Sequence, residues 1–238
     1  MNEEAKEEAI KLKISAMNNP QNLKNNEWLY MMAGLKIVSL NVQGSLQSRL
    51  ADLRRDKSII AGDIICLQEI GTSTTRMELE GYTYIDAGAG RNKGVAIYIK
   101  VGMKEYVKEP PIKFEDQFYQ VLKLSCGEFD LINVYLANGQ TSLSIKGFAN
   151  FLEKWITPNR PTMICGDFNM DEKIENDLTR MLRGKFFKQI VKKPTTYRGN
   201  CIDHFHHNIS EAAKKIDYNL HCVYYSDHGA LCVTIKNA

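Results

Sequence analysis

From Leu35 onward the chain places short apolar runs between polar turns, the pattern of strands, and interrupts them with stretches whose apolar residues recur at helical spacing. Lys36 to Asn41, Asp63 to Glu69, Gly94 to Lys100, Tyr119 to Leu124 and Phe129 to Leu136 predict strands, the last two joined as a hairpin near Cys126-Gly127. Leu46, Leu50 and Leu53 mark a helix, and Phe148, Phe151, Leu152 and Trp155 mark a second one before a strand at Thr162 to Cys165. A third helix around Leu178 to Leu182 precedes short strands at Ile202 to His206, His221 to Tyr225 and Ala230 to Ile235. Many strands with few intervening helices predict an α/β protein of two packed sheets with helices outside.

Ahead of Leu35 the pattern changes. Residues 3–17 read as a helix with Ile10, Ile14 and Met17 on one stripe and Glu7 set to pair with Lys11; Asn18-Asn19-Pro20 ends it, and a polar linker follows. This divides the chain into an N-terminal helical extension and linker, 1–33, and one main domain, 34–238. The extension is read as a packing helix, with a partner-binding helix as the alternative.

The chain has 238 residues, 44% hydrophobic and 25% charged, enough for one substantial core. No apolar stretch approaches the roughly 20 residues needed to span a bilayer, and residues 1–30 are charged rather than signal-like, so an intracellular protein is expected, nuclear and cytoplasmic being indistinguishable. Cys66, Cys126, Cys165, Cys201, Cys222 and Cys232 show no Cys-x-x-Cys spacing and read as small core residues in a reducing compartment. On a strand His204 and His206 share a face, but with His207 they lack the fourth ligand and the spacing of a structural zinc set. A formal charge of +3 does not by itself announce nucleic-acid binding.

The chemistry concentrates in Met163-Ile164-Cys165-Gly166-Asp167-Phe168-Asn169, where a short apolar strand delivers an aspartate and an asparagine, two apart, to the same side of its end. Held near a phosphate, the acid can take a proton from water while the amide hydrogen-bonds the substrate without adding charge. Asn41, Glu69, Tyr135 and Ser226-Asp227-His228 stand at the ends of other predicted strands.

Taken in order, Ser39-Leu40-Asn41-Val42-Gln43-Gly44, Ile65-Cys66-Leu67-Gln68-Glu69, Asn133-Val134-Tyr135, Gly166-Asp167-Phe168-Asn169, Ile202-Asp203-His204 and Ser226-Asp227-His228 resemble the endonuclease/exonuclease/phosphatase superfamily of metal-dependent phosphodiesterases, over about Leu35 to Ile235. Lys93-Gly94-Val95-Ala96-Ile97-Tyr98-Ile99 and Pro194-Thr195-Thr196-Tyr197 lean toward the apurinic-type endonuclease domain of non-long-terminal-repeat retrotransposons. Gln43 departs from the cellular apurinic endonucleases, which carry aspartate there.

The resemblance implies a four-layer α/β sandwich, two packed mixed β-sheets flanked by helices, and a Mg²⁺-dependent DNA-nicking endonuclease, with Mn²⁺ as a substitute metal, leaving a 3′-hydroxyl and a 5′-phosphate. Apurinic endonuclease, 3′-exonuclease or deadenylase, and phosphoester phosphatase are the alternatives within the same superfamily. It also implies roles: Glu69, Asn41 and Asp227 at the metal; Asp167 as base; Asn169 and Tyr135 on the phosphate; His228 as donor, oriented by Asp203. Gln43 and Thr196 are expected at the substrate, Thr195 competing with Thr196. Lys192, Lys193 and Arg198, which flank the threonine segment, are expected along a DNA backbone, RNA being the other candidate. No membrane partner is expected; a larger polyprotein, or a partner engaged through the N-terminal helix, is the alternative to a packing role for that helix.

Overall fold

The structure, a computed structural model, describes residues 34–71, 77–87, 93–107, 110–127, 129–210 and 214–237. The helix expected at 3–17 and its linker lie outside the described residues.

Twelve strands are described: β1 Lys36–Asn41, β2 Ile64–Gln68, β3 Tyr82–Ala87, β4 Val95–Lys100, β5 Ile112–Glu115, β6 Tyr119–Cys126, β7 Phe129–Leu136, β8 Thr162–Asp167, β9 Lys188–Gln189, β10 Asp203–His207, β11 Lys214–His221 and β12 Ala230–Asn237. They form two six-stranded sheets, in order β11-β12-β1-β2-β4-β3 and β5-β6-β7-β8-β10-β9. Both sheets share one plan. A central parallel pair, β1 with β2 or β7 with β8, is flanked by antiparallel strands. Helices α1 Leu46–Arg55 and α2 Lys57–Ile60 cover the first sheet; α3 Ser142–Trp155 and α4 Asp177–Gly184 cover the second. No described helix is long and apolar enough to cross a membrane.

Three apolar clusters fill the three spaces between four layers. Ile37, Ile64, Ile97, Leu131, Met163 and Phe205 belong to the space between the sheets. Val38, Leu40, Leu67 and Tyr98 face α1 and α2 with Leu46, Leu53 and Ile59, and Ile132, Val134, Ile164 and Phe168 face α3 and α4 with Phe148, Leu152, Leu178 and Leu182. Alternation along the strands explains the partition, because neighbouring residues point to opposite faces. Central strands with both faces covered therefore read as continuous apolar runs.

The strand expected at His221 to Tyr225 is corrected. β11 ends at His221, and a loop follows. Its run Lys214–His221 is an edge strand whose Ile216, Tyr218 and Leu220 lean on the core while Lys215, Asp217 and Asn219 alternate with them. β3, β5 and β9, which the apolar pattern does not mark, are also sheet edges.

One ion network sits away from the strand ends that carry the site. Asp130 is fully buried and takes Lys123 at 2.7 Å, Arg160 at 2.7 Å and the Thr157 hydroxyl at 2.8 Å. Burial acts to raise its pKa, but the hydrogen bonds from Lys123, Arg160 and Thr157 outweigh it and hold the carboxyl below 3.8. The stabilisation is therefore complete above pH 3.8 and is lost as pH falls through the lower folded value. Asp130→Ala strands the buried Lys123 ammonium and should cost about 3–5 kcal/mol in urea unfolding at neutral pH. A loss below about 1 kcal/mol, the level of an exposed pair, would show that the network contributes little.

Candidate active site

The parallel pairs β1/β2 and β7/β8 all end at one edge of the sandwich, and the antiparallel neighbours β10 and β12 start there. On the face between the sheets the apolar stripe simply changes character at this edge. Ile37 and Ser39 lead to Asn41, Leu131 and Asn133 to Tyr135, Met163 and Cys165 to Asp167, and Phe205 leads back to Asp203. Asp167 and Asp203 are paired across β8 and β10.

Asn41, fully buried, ties the set together: its Nδ2 donates to Glu69 Oε1 at 3.0 Å and to Asp167 Oδ2 at 2.8 Å, while its Oδ1 accepts the Gln43 N–H at 2.8 Å. Tyr135 hydrogen-bonds Glu69, and burial followed by the charges of Glu69 and Asp167 pushes its phenol pKa up, so the hydroxyl stays protonated as a donor. Asn169 donates its N–H to Asp167 Oδ1 at 2.8 Å and anchors its own amide on Leu136 O at 2.6 Å. His228 places Nδ1 at 2.9 Å from Asp203 Oδ2, and Ser226 holds that loop by donating to Asn41 O at 2.7 Å and accepting the His228 N–H at 3.1 Å.

The backbone is shaped for this arrangement. Gln43, Glu69 and Asn169 all adopt left-handed conformations, φ 59, 50 and 48°, and such positions carry a cost of order 1–3 kcal/mol that surrounding structure must offset. At Gly166 a Cβ would fall 1.9 Å from Val134 O, so only glycine lets β8 approach β7 one residue before Asp167.

Burial first and the Asp203 carboxylate second push the Asp167 carboxyl up to about 8, against the opposing effects of His228, Asn169 and Asn41. For His228, burial acts to lower the pKa, but the Asp203 hydrogen bond and the charges of Asp203, Asp167 and Asp227 outweigh it and raise it to about 9. His228 is therefore an imidazolium at neutral pH, and Asp167 lies near the range expected of a general base.

The predicted residues separate into three groups. Asn41, Glu69, Tyr135, Asp167, Asn169, Asp203 and His228 come together. Gln43, Asp227 and Thr196 form the margin: Gln43 Oε1 accepts the Asp227 N–H at 3.4 Å, Asp227 Oδ1 lies 3.6 Å from His228 Nε2, and Thr196 bridges to His228 through backbone. Thr195 is internal, its hydroxyl accepting the N–H groups of Ile202 and Asp203 at the start of β10. Among the cations, Lys192 pairs with Glu172 at 2.8 Å and Arg198 lies over the Tyr197 ring, while Lys193 is exposed. Ser226, inside the Ser-Asp-His run, is a positioning residue that the sequence pattern does not single out.

The donor set suits a hard divalent cation. Glu69 and Asp167 share the Asn41 amide, Asp203 and Asp227 lie against the His228 ring, and Asp227 Oδ1 is buried without a hydrogen-bond partner. Atoms of Asp167, Asp203 and His228 lie within 4.8 Å of one another. Oxygen ligands with unneutralised charge are what Mg²⁺ takes.

A sequence profile described as the Endonuclease/Exonuclease/phosphatase family matches residues 38–228. No curated protein matches the chain in sequence. Among solved structures, an AP endonuclease from Archaeoglobus fulgidus aligns with TM-score 0.59 at 16% identity, over 84% of this chain and 98% of that one. The catalytic domain of human Nocturnin aligns with TM-score 0.64 at 15% identity, over 86% and 95%. The endonuclease domain of TRAS1, a telomere-specific non-LTR retrotransposon, aligns with TM-score 0.59 at 14% identity, over 86% and 99%. At these identities the alignments speak for the fold.

The electrostatics yield a direct test. With a folded pKa raised from 6.5 to about 9, His228 contributes stability that is full below pH 6.5 and lost as pH rises through about 9. An NMR titration of the metal-free protein should give a His228 midpoint near 9, and Asp203→Asn should move it back toward 6.5. A midpoint unmoved by Asp203→Asn would show that the dyad is not what charges the ring.

Proposed function

The chain belongs to the Endonuclease/Exonuclease/phosphatase family, and from that premise we propose that it is a Mg²⁺-dependent phosphodiesterase that nicks DNA, with residues 34–238 as the catalytic unit and 1–33 as an extension to it. The observation that carries this reading is the convergence, across two sheets, of Asn41, Glu69 and Asp167 beside the Asp203–His228 pair.

Phosphodiester hydrolysis needs a positioned water, a proton acceptor and donors for the phosphoryl oxygens. Asp167 is the acceptor: Asn41 and Asn169 orient its carboxylate, and its raised pKa suits proton uptake near neutrality. The His228 imidazolium donates to a phosphoryl oxygen from Nε2, since Nδ1 is engaged by Asp203, which also fixes the ring. Asn169 and the Tyr135 hydroxyl are further polar groups for the phosphate. Glu69, with Asp227 and the Asn41 amide nearby, would hold Mg²⁺, which when bound supplies positive charge against the carboxylates and the phosphate. Gln43, Thr196, Lys193 and Arg198 are assigned to the substrate margin; Lys192 joins them only if substrate draws it from Glu172.

The retrotransposon-type reading is supported by the likeness to the TRAS1 domain and by Gln43 in place of an acid. Supercoiled plasmid, an abasic duplex and poly(A) RNA, each incubated with the protein and Mg²⁺, distinguish it from its relatives. Open-circle product whose 3′ end primes a polymerase is expected; selective cutting of the abasic duplex or of poly(A) RNA would replace the nicking assignment.

Two substitutions test the roles. Asp167→Asn should reduce cleavage by about 10²–10⁴-fold while DNA affinity stays the same or rises slightly, because a negative charge near phosphate disappears with the base. Proportionate loss of binding and cutting would make Asp167 architectural. Glu69→Gln retains shape and removes charge, so the Mg²⁺ concentration for half-maximal rate should rise by about tenfold or more; an unchanged Mg²⁺ titration would sink the metal assignment.

A further inference from the structure

Alternation along β10 gives it two chemical faces. Asp203 and Phe205 point between the sheets, and His204 and His206 point the other way, toward α4. His204 Nε2 lies 3.2 Å from the Cys201 carbonyl oxygen. A carbonyl only accepts, so Nε2 carries the hydrogen there; the Met170 carbonyl also faces the ring, and the tautomer protonated at Nε2 alone leaves Nδ1 its lone pair. His206 Nε2 lies 3.4 Å from that Nδ1, long for a hydrogen bond. Phe168 fixes both rings, stacking on His204 with centroids 4.7 Å apart and meeting His206 edge-on at 5.5 Å. Both imidazoles border a cavity of about 270 Å³ that Glu172, Gln189, Lys192 and Arg183 also line. Gln189 Nε2 is buried without a hydrogen-bond partner.

We propose that His204 and His206 form a chelating site for a borderline transition-metal cation, with Zn²⁺ as the preferred ion and Glu172 as the third ligand. Two nitrogens each about 2.0–2.1 Å from a tetrahedral zinc stand about 3.4 Å apart, the separation already present between Nδ1 and Nε2. Imidazole nitrogen selects Zn²⁺, Ni²⁺ or Cu²⁺ over Mg²⁺. His204 also has the hydrogen bond that metal-bound histidines use, its remaining N–H on a backbone carbonyl. Burial lowers the pKa of both rings, which keeps them in the neutral, ligating form. The Glu172 carboxylate lines the same cavity but does not now stand within 4.8 Å of both ring nitrogens, so it must leave Lys192, its present partner at 2.8 Å, and turn to the ion; a bound water completes the shell, with Gln189 placed to donate to an oxygen ligand. The bound ion would tie β10 to the Glu172 segment on the side opposite Asp203. It is separate from the catalytic centre in position and in ligand chemistry.

The test uses the full chain, which holds five histidines: His204, His206, His207, His221 and His228. Co²⁺ is titrated optically in excess Mg²⁺, which keeps oxygen sites filled, and is then displaced by Zn²⁺. A single equivalent with the visible bands of a tetrahedral nitrogen-ligated ion is expected, together with a rise in Tm on adding Zn²⁺. His204→Asn and His206→Asn should each weaken binding by at least about tenfold and abolish the Tm shift. Glu69→Gln and His221→Ala should leave both unchanged. His206→Phe provides a second variant, which keeps an aromatic ring beside Phe168, should the asparagine variant fold poorly. If either His206 variant binds Co²⁺ and Zn²⁺ as tightly as the parent, or if Glu69→Gln removes the spectrum, the site is not where we place it.

Discussion

One amide group holds the two halves of the active site in register. Asn41 belongs to the first sheet and uses both hydrogens of a single nitrogen, one for Glu69 on its own sheet and one for Asp167 on the other. Apolar packing between sheets is non-directional and tolerates small slides; two hydrogen bonds from one planar group do not. A second amide bridge lies deeper. Asn133 of the second sheet donates to Leu67 O and Ala96 O and accepts from Gln68 Nε2, all in the first sheet. Leaving such buried groups unpaired is costly; Asn133 is paired here, with only Gln68 Oε1 of the bridge unpartnered, and so the sheets favour the alignment that also brings Glu69 to Asp167.

That alignment creates an electrostatic problem which its own residues only partly resolve. Asp167 and Asp203 are cross-strand partners and both are buried. His228 takes up the charge of Asp203, and Asn41 and Asn169 take up the lone pairs of Asp167, yet the Asp167 pKa still rises. Left-handed backbone at Glu69 and Asn169 adds conformational cost at the same edge. The surrounding packing and hydrogen bonds offset the strain, while the like charge is the kind that an added cation relieves.

Legibility in the sequence followed burial. Central strands, covered on both faces, announce themselves as apolar runs, and the site residues stand at their ends where a run breaks into Asn41, Glu69 or Asp167. The edge strands β3, β5, β9 and β11 have one open flank and mixed composition, so no apolar run marks them, and the run at His221 to Tyr225 misled because it follows an edge strand rather than forming one. Between Thr195 and Thr196 only geometry decides which hydroxyl is internal, since adjacent threonines carry the same local signal. Lys192 looks like a free cation in sequence, and its pairing with Glu172, twenty positions away, is a tertiary fact.

The same geometry sets two kinds of side chain on one pair of strands. β8 and β10 turn Asp167 and Asp203 toward the space between the sheets and Phe168, His204 and His206 toward α4. A single strand's thickness thus separates carboxylate oxygens from imidazole nitrogens, donor atoms that suit different classes of cation. The rigid Phe168 ring stands between them in sequence, one residue from Asp167 and stacked on His204. Phe168 thereby joins the imidazole face to the backbone that carries Asp167.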